Sequence, residues 1–154
     1  MNLLTAVAAG DASAVALLLQ QSPPLHVAGR DGGTLLHAAA AAGHAAIVVS
    51  LLSAGADPSM TSKVGDTPLH EAARAGDAEC CRLLLTASVA ELDVQSKKGD
   101  TPLILAACWG HAAVCALLRA AGADSTLTTR NGWTADRWAA KFERQRGSAS
   151  DGDG

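Results

Sequence analysis

Apolar residues recur along this chain at helical spacing in short bursts, and each burst is halted by glycine or proline. Leu69, Ala72 and Ala73 lie on one side of a predicted helix that stops at Gly76, and Cys80, Cys81, Leu83, Leu84 and Leu85 then form the apolar side of a second. Thr67 and Thr101 stand where a hydroxyl caps the first turn, and Pro68 and Pro102 follow at a position that needs no N–H. The same helix pair is predicted from Leu3, Leu4 and Ala6 to Gly10, with Val15, Leu17, Leu18 and Leu19 behind it and Pro23 and Pro24 as its stop. It is predicted again from Leu36 to Gly43 with Ile47 and Val48, and from Leu103 to Gly110 with Cys115.

These bursts are copies of one another. Gly65-Asp66-Thr67-Pro68-Leu69-His70-Glu71-Ala72-Ala73-Arg74-Ala75-Gly76 returns as Gly99-Asp100-Thr101-Pro102-Leu103-Ile104-Leu105-Ala106-Ala107-Cys108-Trp109-Gly110. A looser copy, Gly32-Gly33-Thr34-Leu35-Leu36-His37, precedes it, and a truncated copy, Gly132-Trp133-Thr134-Ala135-Asp136-Arg137-Trp138-Ala139-Ala140, follows. The threonines at 34, 67, 101 and 134 set a period of 33, 34 and 33 residues, which means stacked supersecondary units.

Over nearly the whole chain this pattern resembles the ankyrin repeat. The resemblance implies an all-α solenoid of helix-turn-helix units with short β-hairpin fingers. One repeat domain is expected over residues 1–146, divided at about 1–28, 29–61, 62–95 and 96–128, with a half repeat at 129–146. Residues 147–154, rich in Gly, Ser and Asp, are expected to be a disordered tail. Leu35 stands where the family uses Pro, and Ile104 replaces the His of its turn. Ser88 to Asp93 replaces the Gly-Ala-Asp closure seen at 55–57 and 122–124 and adds one residue, which a surface connection absorbs cheaply. Asp136, Arg137, Glu143, Arg144 and Arg146 supply the polar outer face that a terminal unit requires.

Composition agrees with thin helix pairs. The chain is 49% apolar yet holds one Phe, three Trp and no Tyr, too few aromatics for a broad globular core. A net charge of −3 gives no bulk attraction to nucleic acid or an anionic membrane. No apolar run reaches the roughly 18–20 residues that span a bilayer, and Met1 to Gly10 has no basic stretch of the kind that opens a signal peptide. The expectation is an intracellular protein, cytoplasmic or nuclear, monomeric when alone.

Candidate chemistry changes this picture little. Cys80 and Cys81 are adjacent and match the core positions Ile47 and Val48, and Cys115 matches Val48, so they read as small hydrophobes and not as a redox or metal pair. The resemblance gives His37, His70, His44 and His111 scaffold roles. No zinc spacing, nucleophile-base set or phosphate loop is present in the sequence, so we expect no enzyme, metal or cofactor.

Function is then expected where the repeats differ. In ankyrin-like proteins these positions are the finger tips and the exposed side of the first helices, which together make a concave surface. Carried over by register, the tips bear Arg30, Lys63, Lys97, Lys98 and Arg130, five of the twelve basic residues, in a row suited to steering an acidic partner. Every aromatic residue lies between 109 and 142, and Leu105, Cys108, Trp109 and Trp133 are expected at outward positions, with Arg74 beside them. The expected function is non-enzymatic recognition of another protein, through an acidic or aromatic segment, by an adaptor, inhibitor or assembly factor. The alternative is an anionic nucleotide-like ligand stacked on Trp109 or Trp133 and held by Lys97, Lys98 or Arg130.

Overall fold

The computed structural model describes residues 2–26 and 29–150. Among these, helices α1 (Leu3–Ala9) and α2 (Ala12–Leu19) form the first pair, α3 (Leu35–Ala42) and α4 (Ala45–Ser53) the second, α5 (Pro68–Ala75) and α6 (Ala78–Ala87) the third, and α7 (Pro102–Cys108) and α8 (Ala112–Ala120) the fourth. A single helix, α9 (Ala135–Ser150), completes the order. The first helices α1, α3, α5, α7 and α9 stack in one row, α2, α4, α6 and α8 stack in a second, and each pair packs on itself.

Helices of seven to ten residues are too short to hold alone, so tertiary packing sustains α1 to α8. Leu36, Ile47, Leu51, Leu69, Leu84, Leu103 and Leu118 are fully buried in one continuous core, and each such side chain contributes about 1.5–3 kcal/mol. The buried Ala39, Ala40, Ala72, Ala73, Ala106 and Ala107 let neighbouring first helices approach closely.

The expected β-hairpin fingers do not form as strands among the described residues; they are tight turns. In one, Gly65 N–H donates to the Ser62 carbonyl at 3.0 Å and Ser62 N–H to the Asp66 carbonyl at 2.9 Å, and the same pair of bonds recurs at Ser96 and Thr129. Five residues closed this way leave no length for a ladder. The added residue between the third and fourth units is taken up by a 3₁₀ turn at Val89–Glu91, with Leu92 buried behind it. At the C-terminal end α9 continues through residues 147–150 of the expected tail, and 151–154 lie outside the described residues.

Histidine ties the second unit to the third and the third to the fourth. Thr67 N–H donates to His70 Nδ1 at 3.0 Å, which leaves the proton on Nε2, and Nε2 donates to the Asp100 carbonyl at 2.9 Å. His37 does the same between Thr34 and Asp66. Ile104 cannot, and the Thr101 hydroxyl instead accepts the Ile104 N–H at 3.1 Å.

This bonding predicts an acid-sensitive fold. Burial pushes the His70 pKa below its ordinary value, against the opposing pull of the Asp100 carbonyl and the Asp66 charge. The folded state therefore holds His70 neutral, while the unfolded chain takes up its proton near pH 6.5. The contribution is complete above about pH 6.5 and is lost as pH falls below it. The urea midpoint should drop between about pH 7.5 and 5.5, and drop less in His70→Gln. Identical slopes would show that His70 is not responsible.

Candidate functional site

The fingers place their cations on one edge by backbone bonds. Lys63 N–H donates to the Asp31 carbonyl at 3.0 Å, Lys97 N–H to Val64 at 2.9 Å, and Arg130 N–H to Lys98 at 2.9 Å. Arg30, Lys63, Lys97, Lys98 and Arg130 are all exposed along this edge. Lys63 also donates through Nζ to the Arg30 carbonyl at 2.7 Å. Asp66, three residues after Lys63, is 3% exposed and turned inward to Arg74.

Arg74 is correspondingly committed. Its guanidinium donates to Asp66 at 2.6 Å and to Glu71 at 2.8 Å. Burial alone would lower its pKa, yet the two carboxylates outweigh burial and raise it. A planar fork held on both arms fixes the Arg74 side chain on this face.

Leu105 needs correction. It was expected to face outward and is 6% exposed, because α7 is packed between α5 and α9. Cys108 is half-buried, and Trp109, which caps the C-terminal end of α7, is 57% exposed. Its equivalents, Ala42 and Ala75, are also exposed, so the scaffold does not require a large side chain there.

The remaining aromatics build the end of the stack. The Trp133 and Trp138 rings lie 4.5 Å apart between centroids at 37°. The Arg137 guanidinium sits 4.3 Å above Trp133, and the Lys141 ammonium is 5.3 Å from Trp133 and 5.1 Å from Trp138, so the chain supplies its own cations to these rings. Trp138 packs against the core with its indole N–H buried and without an acceptor among the described residues. Phe142 closes on Gly110, where a Cβ would lie 2.2 Å from its Cζ. Residue-by-residue register pairs Phe142 with Trp109. The sign that it turns inward is Glu143, which stands where the other units have a terminating glycine, so α9 runs on unbroken.

Between the fourth finger and α9 opens a cleft of about 410 Å³, lined by Lys98, Asp100, Arg130, Trp133 and Trp138 among others. Burial, reinforced by the negative charge of Asp66, holds the Asp100 carboxyl above its ordinary pKa, with His70, Lys98 and Arg74 pulling the other way. No helix among the described residues is long and apolar enough to cross a membrane.

Thiol reactivity checks this placement. Burial pushes Cys80 and Cys81 up to about 12, with Asp77 adding to Cys80 and the Cys80 and Asp77 charges adding to Cys81. Burial also raises Cys115. Cys108 is raised by burial and by Asp100, but it is more open to solvent. Under native conditions a maleimide should label Cys108 first, though more slowly than an unhindered thiol. Four equal rates would contradict the register.

A family model described as Ankyrin repeats (3 copies) matches residues 3–91 and 36–129, which together span residues 3–129. Among curated proteins, none matches the chain.

Proposed function

The chain belongs to the ankyrin-repeat family, whose domains are generally protein-interaction modules and typically non-catalytic, and from that premise we propose that it recognises another protein on its C-terminal half as an adaptor, inhibitor or assembly factor. The observation that carries the reading is Trp109, a large side chain held in water at a position where the other complete repeats have alanine. Indole rings dominate interface hot spots and exposed cations steer an approaching partner, so Trp109 would serve as an anchor and the finger-tip row as the means of steering. The finger tips suit an acidic stretch of the partner. A base-stacking role draws less support at Trp133, whose ring already carries Trp138, Arg137 and Lys141. We place the protein in a reducing intracellular compartment, which suits its four free thiols.

The test measures association of a captured partner with wild type and with Lys98→Glu at low and high salt. Charge reversal at an exposed rim position should slow association by roughly tenfold at low salt and less at high salt. Equal rates under both conditions would remove the finger tips from the surface.

A further inference from the structure

The third and fourth units can be compared at three linked positions on this face, and they differ at two of them. In the third, one guanidinium joins two carboxylates, Arg74 to Asp66 at 2.6 Å and to Glu71 at 2.8 Å. One period later these positions are Cys108, Asp100 and Leu105. The first carboxylate is kept, its cation is gone, and the second carboxylate has become a buried leucine. Asp100 makes no ion pair, and its carboxylate accepts no hydrogen bond among the described residues. It is half-buried and lines the cleft with Trp133 and Trp138, while Lys98 and Arg130 stand exposed at the rim. Arg74 cannot serve it as well, since both arms of its fork are taken.

We propose that this cleft receives an arginine side chain from the partner protein, carried on an extended segment with acidic residues on either side. The guanidinium takes at Asp100 the place that Arg74 takes at Asp66, and the flanking carboxylates meet Lys98 and Arg130. This rests on the protein-recognition reading and specifies what is recognised. Arginine fits better than lysine because its planar fork meets a carboxylate with two parallel bonds. A half-buried carboxylate without a partner gains more from an incoming cation than a solvated one. A basic segment would be repelled by Lys98 and Arg130, and a wholly acidic one would meet Asp100 with like charge, so the mixed pattern is the complementary one.

The test uses short synthetic peptides with a single arginine between glutamates, the same peptides with citrulline, which keeps the shape and removes the charge, and the same with lysine. Binding is followed by the indole N–H signals of Trp133 and Trp138 and the carboxyl signal of Asp100 in wild type, Asp100→Asn and Cys108→Arg. Cys108→Arg restores the residue type found at Arg74 and should fill the slot from within. The arginine peptide is expected to shift these signals saturably in wild type, with affinity reduced roughly tenfold or more for citrulline, for Asp100→Asn and for Cys108→Arg. Equal binding of arginine and citrulline, undiminished binding to a folded Asp100→Asn, or no binding of the arginine peptide by wild type would each overturn the proposal. Should a variant fail to fold, the arginine-citrulline comparison on wild type decides alone. If the peptides fail while Trp109→Ala still loses its partner, the slot is wrong and recognition at this end stands; if Trp109→Ala keeps every partner, the reading of recognition at this end falls.

Discussion

Gly76→Val is expected to lower stability by about 2–6 kcal/mol, from two costs that add. Gly76 ends α5 at φ +77°, a backbone conformation in which a β-branched residue is strained by about 1–3 kcal/mol. A Cβ there would also lie 2.5 Å from Nδ1 of the His111 ring. That ring is not free to retreat, because its Nε2 donates to the Arg74 carbonyl at 2.9 Å and so satisfies one of the open carbonyls at the end of α5. Crowding of this kind costs about 1–3 kcal/mol more. Urea unfolding of wild type, Gly76→Ala and Gly76→Val should show a graded fall in midpoint. A loss below about 1 kcal/mol for valine would mean that the unit-to-unit contact at Gly76 yields more easily than its geometry implies.

Trp109→Ala is expected to do the reverse, sparing the fold and removing binding. The substitution gives the fourth unit what Ala42 and Ala75 give the second and third, so stability should stay within about 1 kcal/mol. Truncating a central interface tryptophan commonly costs 2 kcal/mol or more, which at about 1.4 kcal/mol per decade weakens a complex roughly thirtyfold. Thermal melting and equilibrium binding of the same two proteins check both halves. Loss of the fold would make Trp109 a core residue despite its exposure. Unchanged affinity for every partner would move recognition toward the N-terminal units.

Much of the fold was legible because a repeat states each rule several times. Threonine, proline and glycine punctuate the helices at fixed offsets, and chance agreement over four copies is negligible. The fingers were less legible: the family resemblance implied hairpin strands, and turns closed over five residues leave no room for them. Side-chain commitments were hidden as well. Arg74 was read as an outward cation, and the sequence did not show that Asp66 and Glu71 both pair with it. Leu105 read as outward by register, but α7 is packed between α5 and α9 and Leu105 is buried; in α9 Glu143 stands in place of the terminating glycine, so Phe142 turns in on Gly110. Periodicity describes what successive units share, and it is silent where the last unit stops repeating. Trp109 stayed visible because it departs from its equivalents inside a complete repeat.

The account's central claim is that recognition occurs at the C-terminal end, and site-specific photo-crosslinking in cells tests it most directly. A benzophenone amino acid replaces either Trp109, which caps α7 in the fourth unit, or Leu17 on α2 in the first, and these are 57% and 62% exposed. The two probes are alike in access to solvent and differ only in the surface they sample. A discrete crosslinked protein adduct from position 109, absent from position 17, is the predicted result; an adduct from position 17 with none from 109 would contradict it.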